Sequence, residues 1–518
     1  MNKWNQYYEL IKFPLKLLFL AIMCFGIGNI LTNQAFSSLW LIRNEYVLFV
    51  AELLMRFSQF TIIYFPILIL IRLVSRNKNG HVTITMGLSG FITYLVTTMF
   101  TAPTNLTTSA YSAILGLSLN NSRIESLSGS VHYPLQTGII GVILVIMATR
   151  FSYNKAKDHT EYSLLGFLDR DMYGIIYNNI LCVAIGIGVG IVWPVLIDVI
   201  GEIITFITKD SNNPMNLFIY GVVERVLNVL NLGNLIRTPF WFQANGGTII
   251  SMVGETVAGD VNAWTASLGG MTASSTVGKY ITPYYILNIF AVPGMVLGMY
   301  SLYTDKMEKR KVRFVVFLII LVSMFTGTTL PLELFLILLC PLLWVFHVVY
   351  TGCLYGLLHA LGVYLGFNYT GTGTSTLTAF PGTLLELITY VRISSMQRTL
   401  VFVLIIGIAS AIIYFVFTRF YFKHLALDLV NTGGVQRLVQ GTLEAVGGAG
   451  NIKMIHSSID KLTIQLFDPT LLQQDRLFRL GASQITNSKA GFIIRYGACS
   501  TLVRNGLNER MRESLREG

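Results

Sequence analysis

Apolar and polar positions divide the chain into two unlike parts. Up to about residue 423, long apolar runs alternate with short polar loops. A bilayer crossing needs about 20 apolar residues. Runs near 15–31, 57–74, 85–101, 135–149, 175–207, 282–303, 313–329, 332–350, 352–366 and 399–418 predict about ten transmembrane helices. The run 175–207 is too long for a simple span and is expected to tilt or break near Pro194. Two semi-polar stretches, 213–281 and 367–398, interrupt the pattern. Backbone that does not span is tolerated at membrane depth only where protein or a water cavity satisfies its polar groups. These stretches therefore predict re-entrant or hairpin elements around a polar site.

Beyond residue 424 the periodicity changes. VQRLVQGTLEAV has helical spacing and stops at Gly447-Gly448, a plausible left-handed cap. KLTIQLF alternates as a half-buried strand does. DPTLLQQDRLFRL predicts a helix after an Asp-Pro turn, AGFIIRYG a strand, and STLVRNGLNERMRESL a final helix. The fold class is thus a polytopic α-helical membrane protein with re-entrant elements (1–423), plus a small C-terminal cytoplasmic α/β domain (424–518).

Composition supports this division. Only 12% of the 518 residues are charged and 53% are hydrophobic, against roughly 25% charged in soluble proteins. The net charge of +11 does not point to nucleic acid. Its Lys and Arg residues cluster in alternate loops: Arg72, Arg76 and Lys78; Arg150, Lys155 and Lys157; Lys306 to Arg313; Arg419 and Lys423. That is the positive-inside pattern, and it places both termini in the cytoplasm. The N-terminal MNKWNQYYELIKF is too polar for a secretory signal and reads as a helix entering the first span. Cysteines 24, 182, 340, 353 and 499 are far apart, and the histidines are scattered. Neither a metal site, a disulfide framework nor a cofactor is suggested.

Glu333 stands inside an otherwise apolar stretch, where a carboxylate is costly. It reads either as a functional group or as a charge at the positive end of the helix that follows. Glu224-Arg225 reads as a structural pair or as part of a cavity. Trp241 suits stacking on a ligand ring or interfacial anchoring equally. His347 and His359 read first as core histidines. GTGTST, 371–376, lacks the lysine of a nucleotide loop and reads as flexible or site-lining. HSSIDKL, 456–462, packs reactive side-chain types into seven residues.

Three of these segments together resemble the glucose–glucoside superfamily of bacterial phosphotransferase-system permeases. YGVVERVLNVLNLGNLIRTPFWFQ (220–243) resembles a family segment in which Glu-Arg precedes Gly-Leu-His-His and Pro-Phe-Trp. TGTTLPLELF (326–335) resembles Thr-Gly-Ile-Thr-Glu-Pro-Ile-Glu-Phe, and 424–514 resembles the family's cytoplasmic IIB domain, GGAGNI preceding its motif. The resemblance implies a sugar-binding IIC domain fused to a IIB domain that relays a phosphoryl group on a cysteine. That cysteine lies in Asp-Ala-Cys-Ile-Thr-Arg-Leu. A thiolate beside positive charge suits the task.

In that register Ser458 takes the cysteine position, His456 the Asp, Asp460 the Thr and Lys461 the Arg. A serine needs a well-placed base. The alternatives are that His456 offers one, that it accepts the phosphoryl group itself, or that the loop is inert. Cys499, the domain's own thiol, reads as structural. In the membrane part, Asn231-Leu232-Gly233-Asn234 replaces Gly-Leu-His-His, and Leu330 replaces the first Glu while Glu333 retains the second. The implied sugar-site residues are Glu333, Thr329, Asn234, Glu224 and Trp241. The implied partners are a hexose or glucoside, a IIA-type phosphocarrier and a second copy of the chain, in a bacterial plasma membrane. Phosphotransfer by this chain is expected to be impaired. A sugar sensor, or a facilitator working without phosphorylation, is the alternative.

Overall fold

The computed structural model describes residues 3–32, 44–76, 80–111, 123–126, 129–157, 169–250, 254–270, 277–367, 381–425, 434–488 and 491–517. GTGTST, 371–376, lies outside the described residues. The chain forms two units. One comprises Met1–Lys12, Tyr284–His347 and Gly382–Gly518, the other Phe13–Pro283 and Val348–Pro381.

Eight helices among the described residues are long and apolar enough to cross a membrane. They include α1 (Lys3–Thr32), α2 (Glu45–Val74), α3 (Gly80–Thr101), α4 (Gly138–Ala156) and α5 (Arg170–Lys209). α5 runs unbroken through Pro194 for 40 residues, about 60 Å at 1.5 Å per residue. In the second unit it packs along α3, where small residues let the backbones approach. A Cβ on Gly190 would lie 2.1 Å from Thr101 Oγ1, and one on Gly186 2.7 Å from Thr97 Cβ. Asn178 crosses the same seam, its Nδ2 donating to Met86 O at 2.7 Å. The semi-polar stretch then folds as α6 (Pro214–Val229), α7 (Asn234–Phe242), a hairpin of β1 (Thr248–Ile250) and β2 (Thr256–Ala258), and α8 (Asp260–Gly270). Asp260 ties α8 to the segment that follows, accepting from Gly278 N at 2.8 Å and Tyr280 N at 3.2 Å.

In the first unit, the span Thr282–Ser301 (α9) contains a π-turn at Leu287–Ala291. The next two expected spans are redrawn. α10 (Lys306–Thr326) opens with a strongly basic turn that shortens its apolar part. After a left-handed Gly327 come α11 (Leu330–Leu339) and α12 (Pro341–Ala360), the latter belonging to the second unit from Val348 onward. The expected division between 350 and 352 does not occur. The helix breaks instead at Cys340, φ −137° and ψ 62°, because the residue before a proline is steered away from helical geometry. α11, at 10 residues, reaches only about 15 Å, half a bilayer core. α13 (Leu384–Tyr390) and α14 (Gln397–Phe420) complete this part.

The C-terminal segment builds α15 (Gly434–Ala445), β3 (Ile452–Ser457), β4 (Leu462–Leu466), α16 (Gln474–Arg479), β5 (Ile485–Ser488), β6 (Gly491–Ile494) and α17 (Ser500–Glu517). The strands form an antiparallel sheet in the order β3-β4-β6-β5. α15 and α17 share its apolar core with Leu462, Ile464 and Ile494. Gly447 and Gly448, at φ +87° and +89°, end α15, and Gly448 N donates to Leu443 O at 2.8 Å. β3 and β5 were not foreseen from the sequence, and the expected helix over 468–480 is shorter. A single turn at Pro469–Leu471 is followed by an extended Leu472 and a non-helical Gln473. Gln473 N donates to Ala445 O at 2.8 Å, a tertiary bond that draws the backbone out of helix.

Candidate functional site

Three polar groups arise from the residues singled out in the sequence. The first lies in the second unit. Glu224 on α6 is fully buried, and its neighbour Arg225 nearly so, Nε 3.1 Å from Glu224 Oε2. The principal partner is a residue the sequence reading passed over, Arg237 on α7. Its Nε donates to Glu224 Oε1 at 2.7 Å, its Nη2 also reaches that oxygen, and Nη2 donates to Asn228 Oδ1 at 2.6 Å. The turn between the helices makes this possible. Asn231 adopts φ +60°, where asparagine is among the better tolerated non-glycine residues, and Leu232 N closes back on Leu227 O at 2.8 Å.

Trp241 is buried rather than interfacial. Its Nε1 donates to Tyr220 Oη at 3.0 Å, and the Arg237 guanidinium lies 5.6 Å above its ring. Tyr220 in turn packs against Phe240, Tyr280 and Tyr355 at ring separations of 4.8 to 5.2 Å, and Phe240 and Tyr280 lie 4.7 Å apart. Asn234 is half-buried at the start of α7. Glu224, Arg225 and Arg237 thus form a three-residue ionic cluster, bridged to Trp241 by Arg237.

The second group lies in the first unit and is wholly buried. Thr329 Oγ1 donates to Glu333 Oε1 from the turn before α11. His347 Nε2 lies 3.6 Å from the same oxygen, and its Nδ1 makes a 2.9 Å hydrogen bond with Tyr414 Oη on α14. Thr329, Glu333, His347 and Tyr414 therefore form one polar chain inside an apolar bundle. A buried carboxylate survives only when partnered. Glu333 also sits in the first turn of α11, with its N–H bonded to Thr329 O at 3.0 Å. His359 belongs to the second unit, its Nε2 2.7 Å from Asn212 O.

A further carboxylate, Glu386 at the start of α13, was missed. It is nearly buried and accepts from Tyr390 Oη at 3.0 Å. Its signal was Thr383 three residues earlier, a capping arrangement whose hydroxyl accepts from Glu386 N at 3.2 Å.

The third group is the β3–β4 hairpin of the C-terminal segment. His456 and Ser457 end β3, leaving residues 458–461 as the connection to β4. Ser458 is fully buried. Its N–H donates to Lys461 O at 2.9 Å, and its hydroxyl faces Asp460 Oδ1 at 3.4 Å. Arg495 Nη1 holds the other Asp460 oxygen at 2.9 Å. His456 pairs across the sheet with Thr463 and makes no hydrogen bond to Ser458 among the described residues. Cys499 is buried in the domain core. Burial, reinforced by the Asp460 and Glu308 carboxylates, pushes the nearby Tyr303 phenol well above its usual range.

Comparison with known proteins gives three results. Residues 13–352 match the family described as phosphotransferase system, EIIC. A "PTS system glucoside-specific EIICBA component" of Staphylococcus carnosus (strain TM300) is 27% identical over 387 residues, covering 73% of this chain and 54% of that protein. The chain thus spans about half the length of this relative. A solved transporter, the IIC component of an N,N'-diacetylchitobiose-specific phosphotransferase system, is similar at 11% identity and a TM-score of 0.31, covering 80% of this chain and 93% of the other.

Proposed function

The chain belongs to the EIIC family of the phosphotransferase system and is a multi-pass membrane protein, and from that premise we propose that it is a sugar permease of the glucose/glucoside type with impaired phosphotransfer. Its substrate class is a hexose or glucoside, its membrane the bacterial plasma membrane, and both termini face the cytoplasm. Residues 424–518 are its IIB-like domain. A second copy of the chain and a IIA-type carrier are its partners, the latter only if the docking surface is retained.

One observation carries the impairment. At the hairpin tip, where the family resemblance calls for a thiol, stands the buried hydroxyl of Ser458. An alcohol needs a general base within hydrogen-bond reach. His456 lies in β3 opposite Thr463 and makes no hydrogen bond to Ser458 among the described residues, and the Ser458–Asp460 contact is long, with the second Asp460 oxygen committed to Arg495. The membrane part, by contrast, keeps a partnered carboxylate at Glu333 with Thr329, and an ionic cluster at Glu224 that Arg237 links to Trp241. Sugar hydroxyls are recognised by such acceptors and donors. This asymmetry favours a facilitator that moves sugar without modifying it, and a sugar sensor is the remaining alternative.

The test is phosphoryl transfer from labelled phosphoenolpyruvate through purified general carriers to the full chain, alongside Ser458→Cys. The natural chain should stay unlabelled. Label on Ser458 or His456 refutes the impairment. Label on the Ser458→Cys chain shows that only the nucleophile was lost. Sugar counterflow into proteoliposomes, abolished by Glu333→Ala, tests the facilitator, and absent flux in the natural chain leaves the sensor.

A further inference from the structure

The hairpin that carries Ser458 does not stand clear of its unit. Asp460 and Arg495 of the C-terminal domain meet Glu9 and Lys12 of α1 in a closed ring of alternating charge. Lys12 Nζ lies 3.5 Å from Asp460 Oδ2, Asp460 Oδ2 2.9 Å from Arg495 Nη1, Arg495 Nη1 3.4 Å from Glu9 Oε1, and Glu9 Oε1 3.7 Å from Lys12 Nζ. Beside the ring, Lys461 forms an ion pair with Glu308 in the first turn of α10. Thr304, in the turn between α9 and α10, grips the end of β3 from both sides. Its Oγ1 accepts from Ser457 N at 3.0 Å, and its N–H donates to Ser457 O at 3.3 Å.

We infer that these contacts form an electrostatic latch that holds the Ser458 hairpin against α1 and the α9–α10 turn, closing it to soluble partners. A single exposed ion pair is worth little, because solvent screens it and ordering two side chains costs entropy. Here each of the four ring charges has two opposite partners, and the side chains are only 14 to 27% exposed. Removing one charge leaves two like charges competing for the cation or anion that remains. The two Thr304 hydrogen bonds set the register along β3, so the charges need not find it alone. A domain that must carry a phosphoryl group between partners has to release such a hold repeatedly. A domain whose tip is a buried serine can keep it and serve as a fixed brace. The latch goes beyond the transport reading and does not depend on which sugar moves.

The test uses the full chain reconstituted in nanodiscs, with Thr304→Cys and Ser457→Cys introduced together. Copper-phenanthroline oxidation is followed by mass spectrometry of the joined peptides. The disulfide should form readily at low salt. It should form about tenfold more slowly once Lys461→Glu is added, and return when Glu308→Lys restores opposite charge. Raising salt from 0.1 M to 1 M, which contracts the screening length from about 10 Å to about 3 Å, should slow it too. A cross-link that never forms, that ignores Lys461→Glu and salt, or that the double exchange does not recover overturns the latch. Since the double exchange restores the charge balance, misfolding of the single variant is distinguished from loss of the pair. The readout is independent of transport and of phosphoryl transfer.

Discussion

Removing either side of the Glu224–Arg237 contact should destabilise the protein, but by unequal amounts. In Glu224→Gln the fully buried Arg225 loses the carboxylate 3.1 Å away, and Arg237 loses two of its three bonds in the cluster. Breaking a buried pair by deleting one partner costs about 3–5 kcal/mol, and this case belongs at the upper end because two guanidiniums share the one anion. In Arg237→Met, Glu224 keeps its Arg225 contact. The loss is then that of hydrogen bonds to a charged group, about 1.5–3 kcal/mol, and the methionine stem still packs beside Trp241. The double variant removes anion and one cation together, so its cost should fall short of the sum by about 1–2 kcal/mol. Unfolding in mixed micelles, followed by tryptophan fluorescence, measures all four corners of the cycle. If Arg237→Met costs as much as Glu224→Gln, or if the two effects simply add, the cluster does not work as one anion serving two cations.

Other outcomes follow from single contacts. Gly259 has φ +93°, and an added Cβ would lie 2.5 Å from Trp241 O; Gly259→Ala should cost about 2 kcal/mol or more in the same assay through strain alone. Asp260→Asn keeps one acceptor for the two N–H groups of Gly278 and Tyr280, and should cost about 1–3 kcal/mol while raising amide exchange at those two positions. Tyr414→Phe removes the hydrogen bond to His347 Nδ1; a loss of about 1–2 kcal/mol with counterflow retained would mark Tyr414 as a support of the Glu333 chain. Asp468 accepts from Thr470 N at 2.9 Å and Oγ1 at 2.6 Å, which holds its carboxyl below the usual range. Its folded value lies below the unfolded one. The stabilisation is therefore complete above the unfolded value and is lost as pH falls through the folded value. Thr470→Val should move the Asp468 carbon-13 titration back toward the ordinary carboxylate range, and an unmoved midpoint would show that the hydroxyl plays no part.

The hydrophobic pattern made most of the membrane part legible. Spans such as 57–74, 85–101 and 399–418 reappear within α2, α3 and α14, because length and apolarity alone decide whether a segment can cross a bilayer. Within 313–366 the helix boundary departs from the hydrophobic pattern for a local reason that the sequence contains. Pro341 ends a helix more strongly than the apolar run on both sides of it sustains one. In the C-terminal segment the α15 cap was readable from Gly447-Gly448. Strand β3 was not, since its IKMIHS shows no clear alternation and its pairing partner, β4, lies beyond the connecting loop.

What the sequence determined by itself was therefore local: which segments are apolar enough to cross, where glycine and proline stop them, and that Glu333 and Ser458 stand in unusual company. What only the tertiary structure decided was which charges meet. Glu224 was read beside its neighbour Arg225, yet its stronger partner is Arg237, reached through the left-handed turn at Asn231. Glu9 and Arg495 are 486 residues apart and share a ring of charge. Periodicity is written within one or two turns of a helix. An ion pair depends on where the whole chain folds back, and short-range pattern holds no record of that distance.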